Sequence, residues 1–94
     1  MNNYEFEQYI QESYKTGNRS KLWLAVNVSC EAAELAELIV KEEGYNREYT
    51  DEQVLSEAGD VINFVTALLH KHGLTLSEAM DNNIVKLKTR GWIK

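Results

Sequence analysis

Apolar residues recur at intervals of three and four along most of the chain, and this spacing predicts α-helices. The first predicted helix covers residues 4–15 and ends at Gly17-Asn18, a common type of helix stop. The second begins after Ser20, a favourable N-cap, and continues to about Glu43, where Gly44 is expected to end it.

Two further helices are predicted in the second half of the chain. Thr50 is expected to cap the third helix, because Gln53 follows it in capping-box spacing, and Gly73 is expected to end that helix. The fourth helix has Ser77 as its predicted N-cap and runs to about Thr89.

The pattern as a whole predicts one all-α domain over residues 1–94, a four-helix chain that forms a helix bundle. The chain contains no proline and little strand-like alternation. Because a domain of this size has a small core and two of its helices carry broad apolar arcs, we expect a homo-oligomer to complete the bundle. The arc on the third helix comprises Val54, Leu55, Ala58, Val61, Ile62, Val65, Leu68 and Leu69.

Charge and composition exclude several classes of function. The formal net charge of -5 disfavours binding to nucleic acid, which requires basic side chains to neutralise phosphates. With Cys30 as the only cysteine, no intramolecular disulfide forms, and no apolar run is long enough to span a membrane. The polar start of the chain lacks a secretory signal, so a cytoplasmic protein is expected.

Four acidic residues break the amphipathic pattern. Glu31 and Glu34 lie three apart on the second helix, and Glu57 and Asp60 lie three apart on the third, so each pair shares a helix face. The two residues Glu31 and Glu57 fall inside the apolar stripes, with Glu34 and Asp60 at the borders. None has a basic residue one turn away, whereas Glu37 has Lys41 and is expected at the surface.

Carboxylates in an apolar stripe are unfavourable unless they are paired or bind a metal ion. If the two helices pack side by side, the four acids meet and repel one another, and a divalent cation relieves that repulsion. Oxygen ligands favour Mg²⁺, Mn²⁺ or Ca²⁺ over Zn²⁺. The Glu-x-x-His pairs of di-iron bundles are absent, and His70 and His72 are expected to have a structural role at a helix end.

The ordered set of motifs resembles the MazG-type nucleotide pyrophosphohydrolases, which belong to the all-α nucleoside triphosphate pyrophosphohydrolases together with the dimeric dUTPases. The matching segments are Glu31-Ala-Ala-Glu34, Glu57-Ala-Gly-Asp60 and Asn83-x-x-Lys86-x-x-x-Arg90. The resemblance implies hydrolysis of a nucleoside triphosphate to the monophosphate and pyrophosphate, with Mg²⁺ held by Glu31, Glu34, Glu57 and Asp60. It also implies dimers or tetramers and a house-cleaning role in the nucleotide pool.

Other residues are candidates for substrate binding. Lys86 and Arg90 share a helix face and are candidates for a phosphate clamp, with Lys21 a weaker one. Glu34 is preferred as the general base because it lies at the border of the stripe, with Glu31 also a catalytic candidate. Candidates for contacting the base are Asn27, Asn63, Asn83 and Trp23, although core or interface packing is the stronger expectation for Trp23.

Two alternatives remain open at this stage. One is a non-catalytic helical interaction or regulatory module, such as an antitoxin-like protein. The other is a bundle that binds metal without hydrolase activity. Within the hydrolase interpretation, the sequence leaves open whether the substrate is dUTP, another standard nucleotide or a damaged one, and how many metal ions bind.

Overall fold

The computed structural model describes residues 1–14, 19–45 and 47–94, and the described residues form four α-helices and no strand. This confirms the all-α prediction. The predicted end of the first helix at Gly17-Asn18 lies outside the described residues. The helices are α1 (Asn3–Tyr14), α2 (Lys21–Tyr45), α3 (Asp51–Lys71) and α4 (Leu76–Thr89).

The two long helices α2 and α3 form an antiparallel hairpin, and this pairing is the most extensive in the molecule. α1 packs against α3, and the backbone of α4 approaches α1 and α3. Nowhere within the described residues does the backbone of α4 approach that of α2. The hairpin is therefore the platform on which the other two helices lie.

A small core joins three of the helices. Ile10, Leu24 and Ala67 are buried together, one from each of α1, α2 and α3. Four partly buried residues pack around them, namely Phe6, Tyr14, Phe64 and Leu68. Thr66 is also fully buried, and its hydroxyl donates to the Ile62 carbonyl at 2.7 Å. α4 contributes no buried side chain.

The helix ends agree with some of the predicted caps and stops, and two of those predictions are corrected. The capping box predicted at α3 is confirmed, because Thr50 Oγ1 accepts from the Gln53 N–H and Gln53 Oε1 accepts from the Thr50 N–H. The predicted N-cap of α4 was wrong: Thr75 is extended and its hydroxyl accepts from the Glu78 N–H, whereas Ser77 lies inside the helix.

The predicted stop at Gly44 was also wrong, because α2 continues to Tyr45. The other predicted stop, Gly73, has a φ of 72°, in the left-handed region where glycine ends a helix without steric strain. Gly44 lies in the α2 helix instead, so the glycine alone does not end it.

The chain exposes more surface than its mass requires. Its accessible area is 7188 Å², whereas a folded monomer of 10.8 kDa exposes about 5,500 Å². Its radius of gyration is 15.4 Å, against about 12 Å for a compact domain of this length. Large apolar side chains account for part of the excess, including Leu22, Val26, Ile39, Val40, Leu55, Ile62, Ile84 and Val85.

The Thr50 cap gives the first prediction. We expect Thr50→Ala to lower the free energy of unfolding by about 1 kcal/mol, because the Gln53 N–H at the start of α3 loses its acceptor. Thr50→Ser keeps the hydroxyl and serves as the control. Urea unfolding followed by circular dichroism measures both, and equal stability of the two variants would show that the cap contributes nothing.

Candidate metal centre

The antiparallel pairing of α2 and α3 brings acidic residues of both helices to one place. One carboxylate oxygen from each of Glu31, Glu57 and Asp60 lies within 4.8 Å of the other two. Glu31 comes from the middle of α2, and the other two come from adjacent turns of α3. Helical spacing puts Glu57 and Asp60 on one face of α3. The packing of α2 against α3 then brings Glu31, which lies 26 positions before Glu57 in the chain, to the same place.

The cluster is only partly open to solvent. All three side chains are half-buried. Glu31 Oε2 and Glu57 Oε2 are shielded from solvent and have no hydrogen-bond partner among the residues that the structure describes. A buried carboxylate oxygen without a donor is unfavourable, because it has lost its water and gained nothing in exchange.

Glu34 lies at the edge of this cluster. Its side chain is exposed, and its proximity raises the pKa of both Glu31 on α2 and Glu57 on α3. Glu34 therefore acts on acids of both helices from the solvent side.

The electrostatics of the site favour the protonated acids. Burial raises the pKa of Glu31 above its ordinary value, and the hydrogen bond and charge of Glu34 raise it further, as do the charges of Asp60 and Glu57. Burial likewise raises the pKa of Glu57, followed by the charges of Glu34 and Asp60. Each carboxylate makes ionisation of its neighbours harder.

The donor set fits a hard divalent cation. The ligand atoms are carboxylate oxygens only, which suit Mg²⁺, Mn²⁺ or Ca²⁺ and not the softer metals. A cation between the helices would give the two unpartnered oxygens a positive partner and remove the cause of the raised pKa values. Glu31, Glu57 and Asp60 would hold it, with Glu34 within reach at the edge.

An aromatic cluster adjoins the acids on the same two helices. The Trp23 ring meets the Phe64 ring edge-on with centroids 5.7 Å apart, and Tyr14 meets the other side of this group with its centroid 6.4 Å from that of Phe64. Arg19 Cζ lies 4.6 Å from the centroid of the Trp23 ring, a cation–π contact. Trp23 lies in the first turn of α2 and Phe64 one turn after Asp60 on α3, while Tyr14 ends α1 and Arg19 precedes α2.

Two of the residues predicted to contact the base of the nucleotide lie near this aromatic cluster. Asn27 is half-buried, and its amide nitrogen donates to the Trp23 carbonyl at 2.8 Å. Asn63 is half-buried on α3. Burial raises the pKa of Tyr14, although the nearby Asn63 side chain and the charge of Arg19 act in the opposite direction. Sequence reasoning missed Tyr14 and Arg19, although the four-residue spacing from Arg19 to Trp23 was a usable signal.

The predicted phosphate-binding residues, and Asn83 among those predicted to contact the base, are not brought to the acids within one chain. Asn83 and Lys86 are exposed on α4, and Arg90 is its exposed C-cap. The backbone of α4 does not approach that of α2 within the described residues. Lys21 is exposed at the first residue of α2, ten positions before Glu31.

Comparison of the chain with protein-family models, with curated proteins and with solved structures found no match. A separate finding is that no helix among the described residues has the length and apolar character needed to cross a membrane. The function must therefore be inferred from the residues and their geometry.

The raised pKa values predict a distinctive pH dependence in metal-free protein. A carboxyl whose folded-state pKa is raised disfavours the fold at high pH, and this effect disappears as the pH falls towards its ordinary value of 4.5. Glu57→Gln should therefore be more stable than the parent at pH 8 in EDTA, with the difference shrinking as the pH falls. The exposed Glu37→Gln is the control, although it also loses its 2.6 Å ion pair with Lys41. Thermal melts across pH test this, and a difference that grows on acidification would contradict it.

Proposed function

We propose that the protein is a magnesium-dependent nucleoside triphosphate pyrophosphohydrolase, a hydrolase that acts on acid anhydrides. The observation that carries the proposal is the group of oxygens from Glu31, Glu57 and Asp60, all within 4.8 Å of one another, two of whose residues also have buried unpartnered oxygens. The resemblance of the motifs to MazG-type enzymes supplies the reaction.

The proposed reaction cleaves the triphosphate between its α- and β-phosphorus atoms. A water oxygen bonds to the α-phosphorus as the bond from that phosphorus to the bridging oxygen breaks. Pyrophosphate leaves with the bonding electrons, and the proton of the water passes to a carboxylate. Bound Mg²⁺, or Mn²⁺ in its place, would supply charge neutralisation for the phosphate oxygens and lower the pKa of water.

The chain's own residues divide these tasks. Glu31, Glu57 and Asp60 hold the cation, and Glu34 accepts the proton of the attacking water. Its exposed position at the rim supports this assignment, because a general base must reach both the water and the solvent to which it returns the proton.

Substrate binding follows from the surroundings of the acids. Lys86 and Arg90 would clamp phosphate oxygens that the metal ion does not reach, with Lys21 as a further cation. Asn27, Asn63 and Asn83 offer amide groups to the edge of the base. Trp23 packs on Phe64 and under Arg19, which supports a role in the pocket wall over free stacking.

We also propose that a second copy of the chain completes the site. The excess of roughly 1,700 Å² of exposed surface matches the area that each subunit of a permanent homodimer buries, about 1,000 Å² or more. Because α4 lies away from α2 within one chain, a partner's α4 is a suitable source of the phosphate-binding cations. A dimer meets this requirement, and a tetramer would bury more of the apolar surface.

The catalytic proposal predicts pyrophosphate release from one or more members of a panel of ribo- and deoxynucleoside triphosphates, including dUTP, only when Mg²⁺ or Mn²⁺ is present. Glu57→Gln should lower the rate by on the order of 100-fold or more, because it removes a metal ligand, while Glu37→Gln keeps the rate of the parent. Release by Glu57→Gln at the rate of the parent would refute the assignment. Metal binding without release would favour the non-catalytic bundle.

The molecular mass of the protein in solution tests the proposal that it forms an oligomer. Light scattering coupled to gel filtration should give a multiple of 10.8 kDa, and the melting temperature should rise with protein concentration. Val26→Lys, which places a charge on the exposed apolar face of α2, should lower the mass, whereas Gln8→Lys, which adds the same charge at an exposed polar position of α1, should not. A native-like monomer at high concentration would contradict the proposal.

A further inference from the structure

Glu7 is a charged residue in an unusual place. It lies on α1, far from the acidic cluster in the chain, and its side chain is buried, with 8% of the residue exposed. A buried carboxylate persists only where donors surround it. The partners of Glu7 come from two other helices.

The donors converge on both oxygens of the carboxylate. Glu7 Oε1 accepts from the Leu76 N–H at 2.6 Å and lies 3.0 Å from His70 Nε2. Glu7 Oε2 accepts from the Ser77 hydroxyl at 3.3 Å. α3 supplies the titratable partner, His70, and the donors from α4 are neutral groups in its first turn. The carboxylate thus also meets the positive end of the α4 dipole.

This contact is the main polar attachment of α4. Thr75, the N-cap, satisfies the Glu78 N–H, and Glu7 satisfies the N–H of Leu76, the first residue of the helix. α4 buries no side chain fully, and only Leu76, Ala79 and Leu87 among its apolar residues are half-buried, so the polar contact with Glu7 is an important part of its docking. A cavity of about 300 Å³ borders Glu7 and His70, so protons can reach the carboxylate without unfolding of the chain.

We propose that Glu7 and His70 form an acid-sensitive latch that docks α4 on α1 and α3, so that protonation of Glu7 releases α4 while the α2–α3 hairpin stays folded. The latch is independent of the catalytic proposal, and it bears on catalysis only because α4 carries Lys86. Opening it would move that cation relative to the rest of the chain.

The pH range of opening follows from the contacts. Burial raises the pKa of Glu7, but the hydrogen bonds from His70, Leu76 and Ser77 and the charge of His70 together lower it below its ordinary value of 4.5. A lowered folded-state pKa means that the docking free energy is fully present above 4.5 and is lost as the pH falls below it.

Hydrogen exchange followed by mass spectrometry tests the latch. Glu7→Leu keeps the buried volume and removes both acceptor oxygens, so α4 amides should exchange at least about 10-fold faster at pH 7 while amides in the middle of α2 and α3 keep their rates. Glu12→Leu, at an exposed position of the same helix, is the matched control and should leave α4 unchanged.

A second experiment measures the pH dependence of hydrogen exchange in the parent protein. After correction for the chemical exchange rate, its α4 amides should lose protection below pH 4.5, and α4 of Glu7→Gln should show no such pH dependence. Unchanged α4 exchange in Glu7→Leu, equal acceleration across all helices, or the same pH profile in Glu7→Gln would each overturn the latch. None of these readouts depends on nucleotide hydrolysis.

Discussion

The main physical constraint on this structure is the mutual repulsion of the carboxylates that α2 and α3 bring together. Packing α2 against α3 brings Glu31, Glu57 and Asp60 together, and burial then raises the pKa of the two glutamates. A divalent cation would remove that repulsion at neutral pH, and the same charge would prepare the site for the proposed phosphate chemistry. The proposed function and the stability of the hairpin therefore depend on the same carboxylates.

The open shape of the chain is the second consequence of this arrangement. The hairpin consists of two long helices, and the two short helices cover only part of it. The core joins single buried residues from α1, α2 and α3, and wide apolar areas remain exposed on α2 and α4. A second copy is the proposed cover, and it is also the proposed source of cations that α4 does not bring to α2 within one chain.

Much of the fold was predictable because local signals determine it. Helical periodicity and the absence of proline gave four helices, and the Thr50–Gln53 capping box marked the start of α3. The same periodicity placed the four acids on facing sides. The start of α4 was misassigned because Thr75 and Ser77 are equally good caps by residue type, and Ser77 instead donates to Glu7. Glu7 itself was not predictable, since its partners lie more than 60 positions away and only tertiary packing brings them together.

Electron paramagnetic resonance of Mn²⁺ measures whether the acids of α2 and α3 bind a divalent cation, as proposed. Added protein should remove the signal of free Mn²⁺ in proportion to the sites filled, Mg²⁺ should restore the signal by competition, and Glu31→Gln or Asp60→Asn should bind far less Mn²⁺. A signal that stays at the level of free Mn²⁺ at neutral pH, with protein in excess, would show that the acids hold no cation.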